Sequence, residues 1–399
     1  MTRTYLQTHS WINFVLDLKR ADAEFWMLLG EAQSKAQHIA GVPLLPEVAE
    51  RFLEVSLAKG VLATTAIEGN TLSEDEVRAR ILGQGTLSPS RDYLGREVDN
   101  ILRAVNKIGS AALAGKLTDL TDDDIREYNR MVLSDLPLAE DVAPGRTRAY
   151  RVGVGHYRGA PPEDCDYLLA RLCGWLNSDW LAHHGELADY PIAFGILKAV
   201  IAHLYLAWIH PFGDGNGRTA RLMEFQILLQ ARVPSVAAHL LSNHYNNTRT
   251  EYYRLLDLSS KIPEGPILFI KYALRGFVDT LREQIDMVKA QQLLVHWQNH
   301  IHQVIRGSTA SIERRRHLAI DLSLHHQTNI SDVPTLTTRL AREYATKTAK
   351  TVRRDLNYLE EKKLITIRGH LVEPNRDVML AFLPLVCPVP VSGRDSQRP

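Results

Sequence analysis

The stretch from Ile192 to Ile209 is apolar at nearly every position, yet it contains Lys198 and His203. A bilayer core would penalise both groups, whereas a protein core with exposed flanks accommodates them. The stretch therefore predicts a buried helix around which other helices must pack, and no membrane contact is expected. Pro211 ends the helix at His210, because a residue before proline is pushed out of the helical region. Beyond it lies a glycine-rich loop, His210-Pro-Phe-Gly-Asp-Gly-Asn-Gly-Arg-Thr-Ala-Arg221, leading into a second helix expected over 217–231.

The rest of the chain fits this helical frame. Between Ile12 and Lys59, Phe14, Leu16 and Leu18, and again Phe52, Val55 and Ala58, recur at helical spacing, with Pro43 and Pro46 between them. One helix is expected to end at Ile67 or Glu68, before Gly69, and another to begin at Ser73, where Glu76 completes an S-x-x-E capping pattern. Further helices are read over 97–108, from a capped start at 120–124, and over 163–178. The N-terminal third shows no strand pattern. Between Pro144 and Pro162, glycines 145, 153, 155 and 159 alternate with arginine, tyrosine and valine, which predicts a short hairpin.

After Pro266 a helix is expected to about Gly307, followed by a segment of different charge. Residues 306–370 hold 13 Lys and Arg against 7 Asp and Glu, a local charge of +6. Two helices, Leu336–Tyr344 and Thr348–Glu361, precede a hairpin over Leu364–Val372 turned at Gly369, an order that resembles a winged helix-turn-helix domain. The predicted class is mainly α, with a helical region over 1–114, a core over 115–275, a linking helix over 276–305, the winged-helix-like domain over 306–375 and a tail over 376–399.

Composition narrows the function classes. Across the whole chain 47 Lys and Arg face 46 Asp and Glu, which excludes a chain-wide polyanion binder. Three cysteines without C-x-x-C spacing exclude a disulfide framework and a thiolate zinc site. The first residues lack the apolar block and cleavage site of a secretory signal, so a cytoplasmic location is expected.

The loop after His210 has separable physical uses. Gly213, Gly215 and Gly217 let the backbone take positive φ and approach a ligand, and the amides opening the next helix are anion donors. Arg218 and Arg221, three apart, reach one face of the first helical turn and can grip separate phosphate oxygens. Asp214 is placed to hold a magnesium ion on those oxygens. His210 is the one residue of the segment suited to general-base work, and Phe212 is an anchor onto the core. A calcium loop is excluded by Arg218 in the fifth position and Phe225 in the twelfth, and no Gly-Lys-Ser/Thr ending marks a Walker A loop. A plain turn would account for Asp214-Gly-Asn-Gly217, but not for a histidine before it and two arginines after it.

His210–Arg221 resembles the complete H-x-F-x-D/E-G-N-G-R-x-x-R motif of Fic-domain proteins, a resemblance expected to cover about residues 115–270. It implies an α-helical fold with a β-hairpin flap, and transfer of AMP from ATP to a target hydroxyl with Mg²⁺ present. By position, His210 would take the hydroxyl proton and Asp214 would hold Mg²⁺. Gly213, Gly215, Asn216, Gly217 and Arg218 would line the phosphates, and Arg221 would hold the γ-phosphate. The flap, Arg148–Gly155, would pair with the target's main chain as an added strand. Tyr252 and Tyr253 are similar to the family's tyrosine stretch beside the adenine. The asparagine that some relatives carry after it is replaced near Ser259 or Ser260, leaving the ribose contacts unassigned. Thr64-Thr-Ala-Ile-Glu68-Gly69 resembles the family's inhibitory helix, in which Glu68 would pair with Arg221 and withhold it from ATP.

Two questions of partner stay open on sequence alone. Lys350, Arg353, Arg354 and Asn357 suit a DNA-recognition helix, but the modest charge favours protein docking or a homodimer. A DNA-binding regulator whose Fic core only senses a nucleotide is the alternative function, against which the intact His210 weighs.

Overall fold

Several helix starts in this chain are set by side-chain caps. In the computed structural model, which describes residues 3–84, 87–154, 157–178 and 189–381, Ser73 and Glu76 form a reciprocal capping box, as do Thr121 and Asp124. Asp22 accepts from the Phe25 amide at 3.0 Å. Gly155, Cys387 and the tail from 382 lie outside the described residues.

Two units are present, residues 1–285 and 286–399. The first contains α1 (Tyr5–Thr8), α2 (Ala23–Gly41), α3 (Pro46–Ala66), α4 (Glu74–Ile81), α5 (Asp92–Leu113) and α6 (Asp122–Val132). A hairpin of β1 (Gly153–Val154) and β2 (Tyr157–Arg158) follows, with Gly153 opposite Arg158 and Val154 opposite Tyr157. Next come α7 (Cys165–Leu176), α8 (Pro191–Ile209), α9 (Asn216–Gln230), α10 (Leu240–Asn247), α11 (Arg249–Leu258) and α12 (Gly265–Val304). The boundary between units falls inside α12, not at either end of the linking helix expected over 276–305.

α8 is the axis of the first unit. It is long and apolar enough to cross a membrane by length and composition, and it is buried against α9, α7 and α2. Its two polar residues are paired: Lys198 donates to Asn177 at 3.3 Å, and His203 bonds the Tyr252 hydroxyl at 2.8 Å. α9 packs against α8, α5, α6 and α3, so the loop joining α8 to α9 is gripped from several sides.

One expected helix is absent. Phe14 has a left-handed φ of 57°, and only Leu18–Arg20 form a helical turn, of the 3₁₀ kind. Phe14 is buried against Trp175 and Tyr205, a tertiary contact that overrides the local periodicity.

The second unit has its own core, built on Trp297, Ile301, Leu318, Leu340, Leu356 and Val372. Its elements are α13 (Ala310–Ser323), β3 (Thr328–Asn329), α14 (Thr338–Tyr344), α15 (Ala349–Glu361), β4 (Ile365–Arg368), β5 (Leu371–Pro374) and α16 (Arg376–Leu380). The strands form an antiparallel sheet in the order β3-β5-β4, turned at Gly369 with φ +64°. β3 escaped the sequence reading because two residues carry no readable alternation.

Candidate active site

The α8–α9 loop is built around a left-handed histidine. His210 closes α8 with φ 49° and ψ 57°, and Gly215, at φ 77°, opens α9. Asn216, the first residue of α9, ties the loop to itself: its Oδ1 accepts from the Phe212 amide at 3.0 Å, and its Nδ2 donates to the Phe212 carbonyl at 2.9 Å. Phe212 is buried, as an anchor should be. Asn129 on α6 supports the loop from outside, donating to the Asp214 carbonyl at 2.9 Å and accepting from the Gly145 amide at 2.8 Å.

Arg148 holds the flap to this loop. Its guanidinium donates to the carbonyls of His210, Tyr150 and Ala160 at 2.8, 2.6 and 2.6 Å, while its amide donates to Pro211 at 2.9 Å. The side chain is therefore an internal staple. Burial first, and then the Arg148 charge, push the His210 imidazole down to about 4, so it is neutral at physiological pH and able to accept a proton.

The two motif arginines are both buried and both engaged by carboxylates. Arg221 Nη2 meets Glu68 Oε1 at 2.5 Å and the Thr64 carbonyl at 3.0 Å. Burial acts to raise the Glu68 carboxyl, but Arg221, with Arg218 and His210, outweighs it and holds the group below the usual carboxylate range. Arg218 bonds Glu97 at 3.2 Å and Asp214 at 3.2 Å. Glu97 also accepts from Asn70 at 2.8 Å. The segment Glu68–Asn70 thus reaches both arginines, directly at Arg221 and through Glu97 at Arg218. Even so, Nε and Nη1 of Arg221 and Nε of Arg218 are buried without an acceptor, the condition of a cationic site made for a larger anion.

A cavity of about 430 Å³ adjoins these groups, lined by Glu68, His210, Asn216, Gly217, Tyr252 and Tyr253 among others. Tyr252 is nearly buried; its ring stacks on Tyr245 with centroids 4.9 Å apart, and its hydroxyl is bonded to His203. Tyr253 is the more open of the two, and its hydroxyl donates to the Ile67 carbonyl at 3.4 Å. Ser259 is a core residue that accepts from Trp208 Nε1 at 3.0 Å. Asp257, one turn after Tyr253, lines the cavity and was not read from sequence; its i, i+4 spacing from Tyr253 was the available signal. Glu97, Asn129 and Arg148 were missed as supports because each acts from a distant segment.

Residues 119–228 match the sequence profile of the Fic/DOC family. The chain carries a Fic domain. It is 33% identical over 230 residues to protein adenylyltransferase fic-1 of Caenorhabditis briggsae, covering 57% of this chain and 41% of that protein. It is 29% identical over 262 residues to protein adenylyltransferase Fic of Nematostella vectensis, covering 65% and 55%. The chain thus spans about half or less of these curated relatives' length. Its fold is that of a Fic family protein from Desulfovibrio desulfuricans G20, with TM-score 0.52 at 19% identity over 89% of this chain and 96% of the other. The Fic domain extends from just before α6 to near the end of α9, so it contains the flap, the loop and both arginines. Glu68 and Glu97 lie ahead of it and close it from outside.

Proposed function

We propose that this protein transfers AMP from ATP to a hydroxyl of a protein target, itself included, and that Glu68 restrains the reaction. The observation that carries the reading is the cavity lined by His210, Asn216, Gly217 and Glu68, the last of these paired with a buried Arg221 that keeps N–H groups without acceptors.

His210 takes the proton of the target hydroxyl as its oxygen attacks the α-phosphorus; the new P–O bond forms as the bond to pyrophosphate breaks. Arg218, Arg221 and the amide end of α9 hold the phosphate charge through the step, so the protein supplies position and electrostatics. Asp214 has a half-exposed carboxylate beside the loop, a donor suited to magnesium shared with phosphate oxygens. When bound, the ion would neutralise charge on the leaving group. Tyr253 offers an open aromatic face for the base.

The flap supplies the edge on which a target would lie. β2 is occupied on its outer side, where His9 Nε2 bonds the Arg158 carbonyl at 2.9 Å, leaving β1 for a target strand. Glu68 withholds Arg221 from nucleotide and so lowers turnover. A cytoplasmic location and a role for Glu68 in removing AMP are both compatible with this reading. Incubation with α-labelled ATP tests the reading: label should enter protein, more so with Glu68→Gly, and none should enter with His210→Ala.

A further inference from the structure

α15 has two unlike faces. Val352, Asp355, Leu356 and Leu359 are buried, whereas Lys350, Arg353, Arg354 and Asn357 are exposed at i, i+3, i+4 and i+7, one stripe of the helix. The acid of this stretch is turned inward. Asp355 accepts from Arg314 at 2.8 Å, from Arg315 at 2.7 Å and from the Tyr344 hydroxyl at 3.2 Å, which pins α15 to α13 and α14. Glu360, further along the outer side, accepts from the Ile367 amide at 2.9 Å and so faces β4.

The cations are left outward and unpaired. Among the described residues, Lys347, Lys350, Arg353 and Arg354 take part in none of this unit's ion pairs, which involve Asp355, Glu343, Asp321 or, on α12, Asp286. No large apolar side chain is exposed on α15; among the described residues those of this unit are Met287, Leu324 and Leu380. Protein-docking surfaces concentrate aromatic and apolar anchors, whereas this one presents positive charge and an amide. The shape also suits a groove. Thirteen residues make a rod of about 20 Å, presented after a short turn from α14, and a major groove admits such a helix. Beside it the β4–β5 turn exposes Arg368, Gly369 and His370.

We propose that α15 is a recognition helix for duplex DNA. Lys350, Arg353 and Arg354 meet phosphates and guanine edges, Asn357 meets an adenine edge, and the β4–β5 tip rests on the backbone. None of these residues belongs to the AMP-transfer site, so the proposal stands or falls separately from that reading.

The test uses the full chain and a pool of duplexes with a randomised centre, selected over several rounds and then titrated at low and physiological salt. A preferred sequence should emerge, with affinity falling as salt rises. Arg353→Glu with Arg354→Glu should weaken binding at least tenfold without changing AMP transfer, and Asn357→Ala should reduce the preference for the selected sequence roughly tenfold. An unselected pool with no salt-dependent binding would overturn the proposal. So would a charge reversal that spares DNA binding yet dissociates copies of the chain from each other.

Discussion

A Cβ placed on Gly217 would meet Glu68 Oε1 at 2.2 Å, so the carboxylate lies in ground that only glycine leaves free. The same oxygen is bonded to Arg221, and the carboxylate sits at the amide end of α9, where an incoming anion would be bound. Under the proposed function, nucleotide phosphate and Glu68 would therefore compete for one cationic position.

Gly217→Ala should push Glu68 off Arg221. The flexible end of the side chain can move, but only by losing a charge-assisted bond. We expect a stability loss of about 1–2 kcal/mol in the native background and a smaller loss in a Glu68→Gly background. A double-mutant cycle by chemical denaturation measures the coupling; strict additivity would contradict the contact.

Glu97 occupies Arg218 as Glu68 occupies Arg221. In a Glu68→Gly background, Glu97→Gln should free Arg218 and tighten ATP roughly three- to tenfold, the size of a partly exposed charge-assisted bond. Calorimetric titration with ATP and Mg²⁺ reads this directly. Weaker binding would instead make Glu97 a positioning support for Arg218.

Arg148→Ala should destabilise the first unit by about 3 kcal/mol or more, because buried carbonyls of Tyr150, His210 and Ala160 lose their donor together. Arg148→Lys should recover only part, since an ammonium lacks the planar fork that spans them. Urea denaturation distinguishes these outcomes; a change within about 0.5 kcal/mol would show the staple to be dispensable.

The loop from His210 to Arg221 was legible because its chemistry is contiguous: a base, close-approach glycines and cations must follow one another along one bend. Capping boxes at Ser73 and Thr121 were legible for the same local reason. Arg148 read as the start of a flap edge, yet its side chain points inward, a fact fixed by carbonyls 12 and 62 residues away. Tyr252 was read beside the base, but its hydroxyl is fixed by His203, which the sequence marked only as a polar residue inside an apolar helix, with no sign of its partner 49 residues away. Phe14 was read as part of a helix and is outside any helix, its ring held by Trp175 and Tyr205.

Burial pushes His239, which stacks on Phe225, down to about 4. Its folded value lies below its unfolded value near 6.5, so the unfolded state binds the proton first and stability falls as pH drops from about 6.5 towards 4, by roughly 3 kcal/mol for this group. Denaturation across that range should show the fall, and His239→Gln should flatten it; an equally steep fall in the variant would assign the effect elsewhere. His210 carries the same sign in activity. The acidic limb of AMP transfer should lie well below the usual histidine value, since protonation of the base is what ends it.

The most direct measurement is intact-mass analysis of the Glu68→Gly protein after incubation with ATP and Mg²⁺, beside the same protein carrying His210→Ala. A mass gain of one AMP in the first and none in the second is the predicted result. No gain in either, or an equal gain in both, would contradict a histidine-driven AMP transfer held in check by Glu68.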